Sequence, residues 1–219
     1  SEEDDRRELA LTPETCDAIV KAVDKEMECP SWHNVNVNSR VGVVISLFTG
    51  LRIGEVCGLK WEDIDFSTAQ LHVRRTINRL AKYEAHDGEN KTEIVFGTPK
   101  TKNSRRTIPP TRTIADELTR WKKQQEQDKI RAGDKYTDDG FIVTNEFGHY
   151  FEQKTFKDYY DRLLKDADIG HFTFHALRHT FATRALERGM DYKTLSAILG
   201  HYSVAFTMDT YVHSMDEHK

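Results

Sequence analysis

Four residues in the last third of the chain have types and spacing suited to chemistry at a phosphate: His175, Arg178, His201 and Tyr211. His175 and Arg178 are three apart, so a helix would carry both on one face. His201 follows a Leu-Gly turn, and Tyr211 stands ten residues after it. Groups that hold a phosphate, followed by a hydroxyl nucleophile, point to attack on a phosphodiester. Each residue alone has a plainer reading: a capping or core histidine, a surface ion pair, a packing tyrosine. Their ordered combination argues for chemistry. The rest of the chain has to supply whatever that chemistry still lacks.

The elements around these residues read as mainly helical, with one small antiparallel sheet on an edge. Residues 1–10 are charged and read as a disordered lead-in or linker. Thr12-Pro13 opens a helix that runs to about Met27, and Cys29 to Asn36 reads as a loop. A second helix, SRVGVVISLFTG, is capped by Asn38, is apolar almost all round and should be central to the core. Gly50 ends it, and a short helix, RIGEVCGL, then sets Arg52 and Glu55 on one face. Three strands are expected: LHVRRTINR, TEIVFG after a loop with Asp87-Gly88 at its tip, and RRTIP, together making a three-stranded antiparallel sheet. A long helix from about Thr113 to Arg131 ends at Gly133, FIVT is too short to assign, and residues 151–167 form another helix. Thr173 caps the helix of His175 and Arg178, Asp191 caps the next, and Ser203 caps the last, which ends near Tyr211.

Composition allows one core in 219 residues, and no apolar run approaches the roughly 18 residues of a membrane span. Cys16, Cys29 and Cys57 are odd in number and share no metal-binding spacing, which fits reduced thiols in a cytoplasmic protein. The net charge of −4 argues mildly against a nucleic-acid partner, but residues 1–28 alone carry −6. Residues 98–112, TPKTKNSRRTIPPTR, hold five bases and no acid. His171, His175 and His179 recur at helical spacing, but no cysteine or carboxylate clusters with them, so no metal site is expected.

HALRHTFAT, then LGH, then a tyrosine ten residues on resemble the tyrosine recombinases, the integrase family of site-specific DNA recombinases. TGLRIGEVCGLKWEDID is similar to that family's first-arginine motif, and TPKTKNSRRTIP to its β-hairpin lysine motif. The four segments lie in family order and span the chain from Leu11 onward. The Lys-Thr hairpin and the TMxTY ending resemble phage and conjugative-transposon integrases.

The resemblance implies roles. Tyr211 would attack the scissile phosphate to give a 3′-phosphotyrosine and a free 5′-hydroxyl, conserving bond energy so that rejoining needs no ATP. Arg52 and Arg178 would clamp the non-bridging oxygens. Lys100, with Lys102 as the alternative, would protonate the leaving oxygen. His175 falls at the general-base or proton-relay position, His201 at the one that hydrogen-bonds the phosphate, and Glu55 at the acid that orients the first arginine. Lys102, Arg105 and Arg106 would contact DNA through the basic hairpin. No cofactor is implied. The partners implied are a double-stranded DNA core recombination site and further copies of the protein, a tetramer on DNA, with no membrane.

Residues 11–219 read as the catalytic domain of a mobile-element recombinase, with the family's N-terminal core-binding and arm-binding domains absent from this sequence. Tyr202 departs from the small residue common after LGH. A type IB topoisomerase matches the local motifs less well. A degenerate DNA-binding regulator should have lost one of Arg52, Lys100, Arg178 or Tyr211, and all are present.

Overall fold

The computed structural model describes residues 10–28, 40–68, 70–82, 91–97, 105–109 and 111–216. The lead-in through residue 9, the Cys29–Asn36 loop, Asn38, the Asp87-Gly88 tip, Lys100 and Lys102 lie outside them. Helix α1 spans Pro13–Glu28, opened by Thr12, whose hydroxyl accepts from the Thr15 amide at 3.2 Å. Ile19 and Val23, four apart, are fully buried. The chain just before α1 is tied to a distant helix, because the Leu11 amide donates to Thr180 Oγ1 at 2.9 Å.

Helix α2, Arg40–Thr49, is the core's central rod, buried at every position but Phe48. Its apolar circumference leaves no face for water, and it packs against α6 (Phe174–Glu187) and α4 (Arg112–Ala132). Arg40 is buried at its start and is satisfied by Glu117 of α4, with Nε–Oε1 at 2.8 Å and Nη2–Oε2 at 3.0 Å, and by Asp24 of α1. Both the Arg40 and Glu117 side chains are about 95 % removed from solvent, at 5 % and 4 % exposure. One guanidinium thus joins three helices.

The sheet differs in membership from the expected one. LHVRRTINR is not one strand: it breaks at Arg74-Arg75 into β2 (Gln70–Val73) and β3 (Thr76–Ala81). Strand β2 lies between β1 (Ile64–Asp65) and β5 (Arg106–Ile108) in a three-stranded antiparallel sheet, while among the described residues β3 pairs only with β4 (Thr92–Gly97). The break has a visible cause. Arg75 turns to bond Asp63 and Glu62, each at 2.5 Å, and Asp63 is fully buried. Alternation of side chains cannot reveal such a break, because its cause lies twelve residues upstream.

Residues 141–144, FIVT, form no strand but a buried segment, bridged to Lys60 at Phe141. Helix α4 fastens it from its polar edge: Trp121 Nε1 donates to Ile142 O at 2.5 Å, and Gln125 Nε2 donates to Thr144 Oγ1 at 2.7 Å. Helix α5 (Gln153–Asp166) meets α6 through aromatic edges, with Phe156 and Tyr160 against Phe174. Thr173 caps α6, Asp191 caps α7 (Tyr192–Leu199) with a 2.9 Å bond from Thr194, and Ser203 caps α8 (Val204–Asp216), which runs on past Tyr211. Among the described residues, no helix is long and apolar enough to cross a membrane.

Removing one partner of a buried ion pair strands the other charge, at a cost of about 3–5 kcal/mol. Arg40→Ala should therefore lower unfolding stability toward the lower end of that range in urea titrations, because Arg120 still bonds Glu117, and a loss under about 1 kcal/mol would show that Arg120 alone suffices for the carboxylate.

Candidate active site

The site is assembled around the C-terminal end of α7. That helix leaves its last carbonyls without partners inside the helix, at the negative end of its dipole. Gly200 ends it in the left-handed region at φ 68°, which only glycine adopts freely. The buried carbonyl of Leu199 accepts from Arg178 Nη2 at 2.9 Å and from Arg52 Nη1 at 3.5 Å. Two arginines from distant parts of the chain are thereby set side by side.

Arg178 is supplied by α6 and is 1 % exposed. Its Nη1 donates to Gly50 O at 2.7 Å, and its Nη2 also meets His201 Nε2 at 2.9 Å. Gly50 stands at φ 68°, and a Cβ there would lie 2.6 Å from Phe181 and 2.8 Å from Leu199, so the turn must be glycine. Burial, then the nearby charge of Arg52, pushes the Arg178 pKa down to about 9, so the group is still charged at neutral pH. Since a guanidinium only donates, His201 Nε2 must be the acceptor. The proton then sits on Nδ1, which faces Thr207 Oγ1 of α8 at 2.8 Å. Burial, followed by the charges of Arg178, Arg52 and Arg106, pushes the His201 pKa to about 3, so this imidazole is neutral.

Arg52 precedes α3 (Ile53–Cys57), and its side chain is 43 % exposed. Glu55, buried in that helix, reaches back to accept from the Arg52 amide at 2.9 Å and meets Arg52 Nη1 at 3.4 Å. Burial works to raise the Glu55 pKa, but its bonds and charge interaction with Arg106 and Arg52 outweigh it and hold the carboxyl below the ordinary range. A cleft of about 260 Å³ opens onto Arg52, His175 and Arg178. His175 is exposed in the first turn of α6, its ring edge-on to His179 at 5.5 Å.

Tyr211 comes from α8 and is 1 % exposed, packed among Leu186, Leu195 and Leu199. Its ring lies parallel to that of His201, with centroids 6.4 Å apart, and meets the edge of His179 at 5.1 Å. Burial raises the phenol pKa, with Arg178 and Arg52 pulling the other way, so the hydroxyl is protonated at neutral pH.

Five predicted residues, Arg52, Glu55, Arg178, His201 and Tyr211, thus gather around one helix end, with His175 on the cleft. Lys100 and Lys102 lie outside the described residues. Arg105 is exposed beside β5. Arg106, expected with it to contact DNA, instead turns inward onto Glu55, and its side chain is 5 % exposed. The opposite wall of the cleft is Thr76 and Asn78 of β3 with Gln153 of α5. Sequence reasoning singled out none of these. The only available signal was strand alternation, which sets Thr76 and Asn78 on one face and buried Ile77 on the other. The cleft has the means to hold an anion between two guanidiniums, with a phenol and imidazoles close by.

A helical body with small antiparallel sheets and this arginine–histidine–tyrosine constellation define a tyrosine recombinase catalytic domain. Residues 10–218 match the phage integrase family, and the chain belongs to it. It is 36 % identical over 179 residues to a tyrosine recombinase XerC-like protein of Caldanaerobacter subterraneus subsp. tengcongensis, covering 80 % of this chain and 46 % of that protein. It is 32 % identical over 173 residues to the ICEBs1 integrase of Bacillus subtilis, covering 77 % of this chain and 43 % of that one. The chain therefore spans less than half the length of these curated relatives. Among solved structures, the Tn1549 transposon integrase in complex with transposon right end DNA superposes with a TM-score of 0.71 at 24 % identity, covering 97 % of this chain and 65 % of that one. That likeness shows the fold.

The depressed His201 pKa has a consequence for stability. Unfolding frees a histidine of ordinary pKa, 6.5, which takes up a proton the folded state refuses down to about 3. The stabilisation is complete above pH 6.5 and is lost as the pH falls toward 3, with a slope of about 1.4 kcal/mol per pH unit for one proton. Chemical denaturation between pH 7 and pH 4 should show this slope, and His201→Asn should flatten it by about one proton.

Proposed function

We propose that this chain is the catalytic domain of a site-specific recombinase that breaks and rejoins DNA strands through a covalent 3′-phosphotyrosine. The observation that carries the reading is the pairing of Arg52 and Arg178 on the Leu199 carbonyl, with Tyr211 stacked on His201 in the same chain. In this reading the scissile phosphate enters the cleft and takes one non-bridging oxygen to each guanidinium, where charge grows in the pentavalent transition state. Tyr211 Oη bonds to phosphorus as the bond to the 5′-oxygen breaks. The phenol proton passes to His175, and Lys100, or Lys102 in its place, returns a proton to the leaving oxygen. His201 holds the phosphate, and Glu55 orients Arg52. Reversal by another strand's 5′-hydroxyl reseals the DNA without ATP.

The partner is a double-stranded DNA core site, read mostly through phosphates, with Arg105 and the basic segment 98–104 beside it. Four copies act together on DNA, in the cytoplasm, for a mobile element. The Tn1549 relative solved on transposon-end DNA supports this choice of substrate. Because Tyr211 is packed against its own chain's His201, cleavage is proposed in cis.

A nicked suicide duplex carrying the core site tests the reading by trapping the adduct. Wild type should form it, Tyr211→Phe should form none, and Arg178→Ala should slow it about 100-fold, the typical loss for one charge-stabilising contact. Mixing Tyr211→Phe with Arg178→Ala should give cleavage no faster than Arg178→Ala alone. Recovery in the mixture would mean that the tyrosine is delivered to another copy's site.

A further inference from the structure

Arg106 is the residue whose surroundings depart furthest from its expected place. Its register in β5 aims it inward. Arg106 pairs with Val73 and Ile108 with Leu71, both on the core side, while Thr107 between them is exposed and meets His72 at 2.9 Å. The guanidinium grips Glu55 with two parallel bonds, Nη1–Oε1 at 2.8 Å and Nη2–Oε2 at 2.9 Å, and each side chain is 5 % exposed. Its Nε donates to Ile198 O, the carbonyl just before the one shared by Arg52 and Arg178. A fork held on a buried carboxylate and a helix end is not presented to solvent for a DNA phosphate.

We propose that Arg106 is a positioning residue for strand cleavage, acting through Glu55 and the end of α7 rather than on DNA. This rests on the recombinase reading of the site. The geometry contains a competition. Glu55 Oε1 is shared between Arg106 at 2.8 Å and Arg52 at 3.4 Å, and the shorter, bidentate pair takes most of the carboxylate's charge. Arg52 keeps its backbone bond to Glu55 while its guanidinium stays only loosely engaged and 43 % exposed, facing the cleft. Without Arg106, Glu55 would be a buried carboxylate with Arg52 as its nearest cation, and would draw that guanidinium back from the phosphate. The Ile198 bond serves the second arginine. It fixes the last turn of α7, whose next carbonyl holds Arg178 and whose following residues place His201. One side chain of the hairpin strand therefore sets both halves of the clamp.

The test is a double-mutant cycle in single-turnover cleavage of the nicked duplex at saturating DNA, using Arg106→Ala, Glu55→Ala and both together. Arg106→Ala should slow cleavage 10- to 100-fold, with a DNA Kd within about twofold of wild type and an unchanged salt slope. The double variant should be slower than Glu55→Ala alone by less than the loss Arg106→Ala causes in wild type, the remainder reporting the Ile198 bond. Arg106→Lys, which keeps one charge on Glu55, should be intermediate, and it carries the comparison if Arg106→Ala loses its cooperative melting transition. Multiplicative losses, or a weaker Kd with the salt slope reduced by about one, would overturn the proposal and make Arg106 a phosphate contact. A wild type that forms no Tyr211 adduct would instead remove the recombinase reading itself. Independently of activity, the Arg106 Nε–H, which donates to Ile198 O, should exchange slowly in nitrogen-15 spectra of the wild type; fast exchange would also overturn the proposal.

Discussion

The structure turns on one buried guanidinium. Arg178 lies almost wholly out of water, and burying a charge is costly unless its donors are satisfied. Here the partners are not a carboxylate but two main-chain carbonyls and an imidazole: Gly50 O, Leu199 O and His201 Nε2. Each belongs to a different part of the chain: the turn after α2, the last residue of α7, and the residue leading toward α8. Holding Arg178 therefore docks α7 against α2 and α6 in one arrangement. Carbonyls satisfy its hydrogen bonds without cancelling its charge, so the site retains positive potential for an anion.

The remaining groups follow from that charge. Among the described residues close to the cleft, Arg52, Arg106 and Arg178 face the single carboxylate of Glu55. Their field and the burial around them keep His201 neutral, while Tyr211, out of water in an apolar cluster, keeps its proton. The free site is thus cationic with a neutral phenol beside it. A phosphodiester entering the cleft would bring the negative charge that the arginines lack, and the phenol would lose its proton only as its oxygen bonds to phosphorus. Pre-set donors aimed at one point are effective because they need no rearrangement when charge develops there.

The helices were legible because their signals are local. Thr12-Pro13, Thr173, Asp191 and Gly200 each act within a turn of where they stand, and each marks a boundary seen in the structure. Arg52 and Glu55 were expected on one helix face, but Arg52 stands in extended backbone just before α3 and Glu55 meets it by reaching back from the third helical position. The strands were less legible. Residues 71–79 have uniform β-forming character, and only the pull of Asp63 and Glu62 on Arg75 splits them between two sheets. Arg106 illustrates the same limit. In a run of bases it reads as solvated, and only pairing with β2 turns it toward Glu55. Arg40 gave no signal either, since its partners lie 16 and 77 residues away.

By itself the sequence determined the family, the order of its motif residues along the chain, and the largely helical body that bears them. Those properties follow from residue type and short-range spacing, where capping, periodicity and motif matching apply. Tertiary structure alone decided that the two arginines meet on the Leu199 carbonyl, that His201 accepts rather than donates toward Arg178, and that Arg106 serves Glu55 instead of solvent. Each of these is a matter of which buried donor finds which acceptor. That is settled by packing between segments as far as 147 residues apart, a distance at which one-dimensional patterns carry no information.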